Sequence, residues 1–228
     1  EQAHLPVREQ QDAVGHAVRA LYLYSGMADV AAETDDRQLL AACKRLWQSV
    51  TTRRMYITGG VGSTHVGEKF TSDYDLPNEE AYAETCAAIA LVFFAQRMLH
   101  ATRDGAYADV MERCLYNGTI SGVSLAGDRF FYDNVLASHP PRQAMLGRRN
   151  AQRCAWFGCA CCPPNIARLL ASLGQYVYAT GGKALFVHHY MSSTFKTQVA
   201  GGHVEITQRT GYPWKEKVEF SLQMGKPS

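Results

Sequence analysis

One segment limits the fold more than any other, namely TCAAIALVFFAQRMLHA at residues 85–101, which is apolar on nearly every side when drawn as a helix. A helix with one apolar face can lie at a protein surface, whereas a helix that is apolar all round has to be buried. No apolar run in the chain approaches the roughly 20 residues that span a bilayer. The segment therefore predicts a core helix surrounded by other helices.

The sequence pattern changes from helical in the first part of the chain to strand-like in the last part. Spacing of apolar residues and turn signals predict further helices over residues 11–32, 36–51, 106–116 and from Pro163 or Pro164 to 178. Short strands are predicted over 184–195, 197–210 and 217–224, with AGGH at 200–203 as a hairpin turn. The prediction is a mainly α fold, a helical toroid over residues 1–182, followed by a β-rich domain from residue 183.

Charge and cysteine content narrow the functional classes. The net charge is +2 over 228 residues without a basic block, which gives no support to nucleic-acid or membrane partners. Seven cysteines, an odd number in a chain of this size, favour metal or thiol chemistry in a reducing compartment over a disulfide framework. A cytoplasmic location is therefore expected. The opening EQAHLPVREQ lacks an initiator Met, and both ends suggest a piece of a longer protein.

The segment FGCACCPPN at residues 157–165 places two cysteines, Cys161 and Cys162, directly before a proline pair. Adjacent cysteines are poor disulfide partners because the bridge would strain the peptide between them. They suit a shared soft metal ion, a reactive thiolate, or both, although two small buried residues would show the same pattern. The prolines predict a helix start, since a first helical turn does not need their missing N–H.

A second pair of donors, Glu84 and Cys86, lies in EAYAETCAA. Together with Cys161 and Cys162 they supply one carboxylate and three thiolates, a set that suits tetrahedral Zn²⁺ better than Ca²⁺ or Mg²⁺. Residues two apart in an α-helix point about 200° away from each other. Both can therefore reach one ion only if the helix begins near Thr85 and Glu84 precedes it. Taken alone, Glu84 could equally be a solvated carboxylate at a helix start.

The segment GGVGSTHVGEKFTSDYDLPNEEAYAETCA, followed by CACCPPN, resembles glycoside hydrolase family 127, the zinc-dependent β-L-arabinofuranosidases. The resemblance covers most of the chain, from VREQQDAVGHAVRALYLYSGMADV into the first strands. It implies the second half of an (α/α)6 barrel at residues 1–182 and the start of a β-sandwich at 183–228. It also implies a carbohydrate partner, an L-arabinofuranoside. A homo-oligomer is a further expectation.

The resemblance also implies the roles of individual residues. Cys161 matches the family's nucleophile, and Glu68, in HVGE, matches its general acid/base. The matches to the zinc ligands are Glu84, Cys86, Cys161 and Cys162. The matches to the sugar pocket are His16, Glu112 and Tyr132.

This chemistry agrees with the residues present. Retaining hydrolysis needs a nucleophile on one face of the sugar and an acid/base near the leaving oxygen, and here a thiolate would replace one of the usual carboxylates. One alternative is a non-catalytic module, structural or glycan-binding, in which zinc only ties loops together. Another is a redox or thiol-transfer protein using Cys159, Cys161 or Cys162, although no thioredoxin-like pattern supports it. Cys154 and Cys159 are weaker candidates for metal ligands.

Overall fold

The computed structural model describes residues 2–139, 141 and 152–225. The chain divides into two compact units, Glu1–Arg168 and Leu169–Ser228, which are described separately below. The first is helical, and the second contains two small antiparallel sheets. This agrees with the predicted mainly α fold followed by a β-rich part.

The first unit is built around α3, as the apolar segment predicts. The α-helices that the described residues define here are α1 (Ala17–Thr34), α2 (Arg37–Arg53), α3 (Thr85–Thr102), α4 (Ala106–Arg113) and α5 (Cys162–Ala171). Phe94 of α3 is fully buried, and its ring meets Tyr24 of α1 at 5.7 Å and Trp47 of α2 at 5.6 Å between centroids. Burial of several aromatic rings at one point supplies a large share of the packing free energy of such a core.

The expectation that no apolar run approaches the length of a membrane span is wrong for α3, whose 18 residues and mean hydropathy of 1.3 would by length and composition alone suffice for one. Within this structure 72% of the helix is buried against other parts of the protein. A core helix passes the same test of length and composition, and the packing of α3 is that of a core helix.

The predicted start of α1 near Gln11 is wrong, because the helix begins at Ala17. Gly15 has a φ of 76°, a left-handed conformation that glycine adopts readily and that a continuing helix does not contain. The backbone N–H of Ala17 donates to the Glu68 carbonyl at 2.9 Å, and the N–H of Phe70 donates to the Gly15 carbonyl at 3.0 Å. The start of α1 is thus bonded to the loop that carries Glu68.

The end of α4 differs from the predicted helix in its hydrogen bonding. It passes directly into a π-helical turn, Cys114–Thr119, and then a 3₁₀ turn, Ile120–Gly122. Gly118 in the π-helical turn lies directly against α3: a Cβ added there would be 2.8 Å from the Ala88 Cβ. Glycine is therefore needed for this close approach of two backbones.

We expect Gly118→Ala to lower the free energy of unfolding by about 1–3 kcal/mol, the usual cost of overpacking a core. Gly26→Ala is the matched control, because Gly26 is exposed within α1 and nothing lies within 4 Å of the added Cβ. The control should raise stability by about 0.5–1 kcal/mol through helix propensity. Urea unfolding of both variants measures the difference, and an unchanged midpoint for Gly118→Ala would contradict the packing argument.

In the described residues the second unit contains a short helix and five strands, which form a two-stranded and a three-stranded sheet. The elements are α6 (Gly174–Val177), β1 (Tyr178–Gly181), β2 (Ala184–Val187), β3 (Ser193–Val199), β4 (Gly202–Thr210) and β5 (Val218–Met224). Strands β1 and β2 form one antiparallel sheet, and the other has the order β3-β4-β5. Ala200 and Gly201, both with positive φ, turn the chain between β3 and β4, which confirms the predicted hairpin. The predicted helix from the proline pair to residue 178 is shorter, since α5 ends at Ala171 and residue 178 begins β1.

Candidate metal centre and active site

The start of α3 brings Glu84 and Cys86 to one side of the protein. Glu84 is the N-cap residue, with φ −57° and ψ 135°, and Cys86 is the second residue of the helix. Ala83 before them has a φ of 40°, and its N–H donates to the Gly62 carbonyl at 2.8 Å. The expectation that the helix begins at Thr85, with Glu84 outside it, is confirmed.

The start of α5 supplies the other two cysteines. Cys162 is the first residue of the helix and Cys161 immediately precedes it. The following prolines cost no intrahelical hydrogen bond in this first turn. Cys162 is fully buried and Cys161 is partly exposed, so these neighbouring thiols differ in their access to solvent.

Donor atoms from the two helix starts converge although they are more than seventy residues apart in sequence. One donor atom from each of Glu84, Cys86, Cys161 and Cys162 lies within 4.8 Å of every other. Cys162 Sγ is 3.5 Å from Cys86 Sγ and 3.7 Å from Cys161 Sγ. Two sulfurs bound tetrahedrally to one Zn²⁺ at about 2.3 Å would be about 3.8 Å apart. The sulfur spacing therefore fits a single zinc ion.

The carboxyl of Glu84 is buried in this cluster. Its Oε1 lies 3.3 Å from Cys161 Sγ, whereas its Oε2 is buried and makes no hydrogen bond to any described residue. Burial, followed by the neighbouring Cys161 thiolate, raises the pKa of Glu84 to about 9. A carboxylate in such surroundings is costly unless a cation lies beside it. The unbonded oxygen and the soft donor set thus fit a bound metal ion.

Hydrogen bonds among the thiols act on their pKa values in opposite directions. Hydrogen bonds with Cys162 first, and then with Cys86, lower the pKa of Cys161 well below that of an ordinary thiol, although its partial burial acts in the opposite direction. The same contact with Cys161 raises the pKa of Cys162. The contacts around Cys161 thus favour its thiolate, and Cys161 is the one partly exposed thiol of the four-donor cluster.

Tyr132 lies against the partly exposed thiol. Its hydroxyl is 3.0 Å from Cys161 Sγ, and a phenol at this distance donates a hydrogen bond to a thiolate. The ring packs edge-on against Phe157 at 5.4 Å between centroids. The structure therefore places the predicted pocket tyrosine directly beside the predicted nucleophile.

Glu68 lies on a loop with a left-handed backbone, having a φ of 53° after Gly67 at 72°. Both of its carboxyl oxygens have partners at 2.7 Å: Oε2 faces His16 Nε2, and Oε1 accepts a hydrogen bond from the hydroxyl of Tyr82. His16, Glu68 and Glu84 also have donor atoms within 4.8 Å of one another. Glu84 is therefore a common neighbour of Glu68 and of the thiol cluster.

Glu112 is the remaining predicted site residue. It is partly buried on α4, and its carboxylate, after burial, contributes to the raised pKa of Tyr116 in the π-helical turn. Its role in sugar binding stays a prediction. Tyr82, by contrast, was not among the predicted residues although its hydroxyl contacts Glu68. A single tyrosine in an aperiodic loop carries no sequence signal that would distinguish it from a packing residue.

Comparison with known proteins decides the family. Residues 1–175 match the profile described as the β-L-arabinofuranosidase, GH127 catalytic domain, and residues 184–228 match the GH127 middle domain. The chain belongs to glycoside hydrolase family 127.

Relatives of this family 127 chain include a curated protein and solved structures. It is 47% identical over 227 residues to the non-reducing end β-L-arabinofuranosidase of Bifidobacterium longum subsp. longum, covering 98% of this chain and 34% of the relative. A crystal structure of a GH127 β-L-arabinofuranosidase from Geobacillus stearothermophilus T6 is 56% identical with a TM-score of 0.94, covering 98% and 35% of the respective chains. A second GH127 β-arabinofuranosidase structure is 47% identical with a TM-score of 0.90, covering 97% and 33%. The family 127 chain thus spans about a third of the length of these relatives.

Proposed function

We propose that this chain carries the zinc-dependent catalytic centre of a retaining glycoside hydrolase that releases L-arabinofuranose from β-L-arabinofuranosides. The observation that carries the proposal is the convergence of Glu84, Cys86, Cys161 and Cys162. Glu84 of this cluster is also a neighbour of Glu68, whose carboxyl has a partner at each oxygen. The names of the relatives support the substrate class.

We propose that Glu84, Cys86, Cys161 and Cys162 hold the zinc ion. When bound, the ion would supply positive charge that keeps the thiols deprotonated at neutral pH. The positive charge of the ion would compensate the negative charges of the three thiolates and the buried carboxylate, so that these groups would stay ionised. The soft donor set favours zinc over magnesium or calcium.

In the first chemical step the Cys161 sulfur attacks the anomeric carbon of the arabinofuranoside. The C–S bond forms as the glycosidic C–O bond breaks, and the protonated Glu68 carboxyl gives its proton to the departing oxygen. In the second step the Glu68 carboxylate takes a proton from water, the water oxygen bonds to the anomeric carbon, and the C–S bond breaks. Two displacements at one carbon return the original configuration, which is retention.

The sugar contacts, the domains, the location and the oligomeric state are also part of the proposal. We propose that His16, Glu112 and Tyr132 contact the sugar. The hydroxyl of Tyr132 would also donate a hydrogen bond to the Cys161 thiolate. Residues 1–182 are proposed as the second half of an (α/α)6 barrel, and 183–228 as the start of a β-sandwich domain. The cytoplasmic location and a homo-oligomeric state stay predictions.

Metal analysis tests this proposal. We expect the protein, expressed at its full natural length, to hold one zinc ion per chain and to hydrolyse p-nitrophenyl β-L-arabinofuranoside. Cys86→Ser should weaken zinc binding by more than about 100-fold, because loss of a direct ligand exceeds the 10–100-fold typical of an outer-shell partner. Cys159→Ser is the matched control, since this exposed cysteine lies outside the cluster.

The zinc content of each variant after dialysis against a competing chelator is the measurement. Full retention of zinc by Cys86→Ser would contradict the ligand assignment. Zinc binding without hydrolysis of the arabinofuranoside would instead favour the structural or glycan-binding module.

A further inference from the structure

A glutamate side chain on a loop, such as that of Glu68, has by itself more rotational freedom than a general acid/base can have. Its backbone lies in a loop, and three side-chain torsions separate the carboxyl from that backbone. A general acid/base has to present one oxygen to the leaving group within hydrogen-bond reach, and a misplacement of about 1 Å can cost about 100-fold in rate. Something other than the backbone must therefore fix the carboxyl plane.

The hydrogen bonds of Glu68 supply that constraint from two sides. His16 Nε2 faces Oε2 and the Tyr82 hydroxyl donates to Oε1, each at 2.7 Å. Contacts at both oxygens define the orientation of a carboxyl plane, whereas a contact at one oxygen leaves the plane able to rotate. If either partner were lost, the Glu68 carboxyl could rotate about its hydrogen bond to the other.

Tyr82 is itself firmly placed. Its backbone N–H donates to the Ser63 carbonyl at 3.1 Å, and its carbonyl accepts from the Asn134 N–H at 3.0 Å. Its ring is tilted against that of Tyr132, 6.2 Å away between centroids. The hydroxyl is therefore presented to Glu68 from a residue whose own position is fixed by contacts on several sides.

We propose that Tyr82 is a positioning residue for the acid/base, acting through the hydrogen bond from its hydroxyl to Glu68 Oε1. This inference rests on the proposed function, in which Glu68 donates and recovers the proton. At neutral pH a phenol is protonated, so Tyr82 acts as a donor and orients the carboxyl without taking part in the proton transfer itself.

Tyr82→Phe tests the inference with two substrates, in the protein at its full natural length. For methyl β-L-arabinofuranoside, whose leaving group needs protonation, kcat/KM should fall about 10–100-fold. For the p-nitrophenyl glycoside, whose leaving group needs little protonation, the loss should be less than about 3-fold. An equal loss on both substrates, or no loss, would overturn the inference, since a sugar-binding or purely structural tyrosine affects both alike.

A double-mutant cycle with Glu68→Gln adds an independent readout. If Tyr82 acts through Glu68, Tyr82→Phe should cost little further activity on the methyl glycoside in the Glu68→Gln background, whereas additive losses on that substrate would overturn the inference. Tyr56→Phe is the matched control, because it removes another loop hydroxyl, one that donates to the Pro77 carbonyl at 3.3 Å. The ratio of the two substrates should not change in this control.

The two hypotheses can fail separately. If Glu68→Gln hydrolyses the methyl glycoside as well as the unaltered protein does, the proposed function is wrong in its acid/base. If Glu68→Gln is impaired but Tyr82→Phe is not, only the positioning role is wrong. Thermal unfolding of Tyr82→Phe close to that of the unaltered protein separates either outcome from misfolding.

Discussion

Replacement of Cys161 by serine is expected to lower kcat by about 10⁴- to 10⁶-fold, the range found when a catalytic nucleophile is removed. A serine hydroxyl is protonated at neutral pH, whereas the contacts of Cys161 with Cys162 and Cys86 favour its thiolate. Steady-state hydrolysis of p-nitrophenyl β-L-arabinofuranoside measures the loss. The hydroxyl occupies nearly the same space as the thiol, so the fold should be retained.

Cys161 is also a proposed zinc ligand, so loss of turnover alone would not identify a nucleophile. The deciding measurement is mass spectrometry of the unaltered protein quenched during turnover. We expect the peptide that contains Cys161 to gain the mass of one pentosyl residue. Cys159→Ser, which removes a nearby exposed thiol outside the cluster, should leave both turnover and labelling unchanged. A pentosyl group on any other side chain would show that the nucleophile has been misassigned.

Glu68→Gln should lower kcat/KM for methyl β-L-arabinofuranoside by about 10²- to 10⁴-fold, the contribution expected of a general acid. The amide has the same shape as the carboxyl and can still accept from the Tyr82 hydroxyl, but it has no acidic proton to give. The loss should be much smaller for the p-nitrophenyl glycoside. Comparison of the two substrates with the purified variant is the measurement.

Two controls accompany Glu68→Gln. Its zinc content should equal that of the unaltered protein, because Glu68 lies outside the four-donor cluster. Glu80→Gln, an exposed carboxylate on the same loop, should leave hydrolysis of both substrates unchanged. Equal losses on both substrates, or loss of zinc from Glu68→Gln, would show that Glu68 supports the structure of the site and does not act as its acid.

Part of this site could be predicted from the sequence, because helix geometry restricts how neighbouring residues can be arranged. Glu84 and Cys86 can reach one point only from a helix start, and α3 does begin at Thr85. The apolar pattern of residues 85–101 likewise predicted the buried central helix. In both cases the decisive information lies within a few helical turns of the sequence, where the helical period itself determines which side chains share a face.

Other features depend on contacts between distant segments and were missed or misplaced. The start of α1 was placed near Gln11, whereas left-handed Gly15 and hydrogen bonds to the Glu68 loop delay it to Ala17. Strand β1 was not predicted, and its first residue, Tyr178, was placed at the end of a helix, since the pairing of β1 with β2 is visible only in the fold. The hydrogen bond between Tyr82 and Glu68 likewise requires a loop conformation that no periodicity encodes.

Three helices begin at or next to residues of the candidate site. His16 is the N-cap of α1, Glu84 is the N-cap of α3, and Cys162 is the first residue of α5. The partial positive charges of such ends offset a concentration of acidic groups that, fully ionised, exceeds the charge of one divalent cation. With the proposed zinc ion bound and every group ionised, negative charge would remain in surplus. Under the proposed function this charge would disfavour sugar acids and sugar phosphates, so that uncharged glycosides would be favoured by electrostatics as well as by shape.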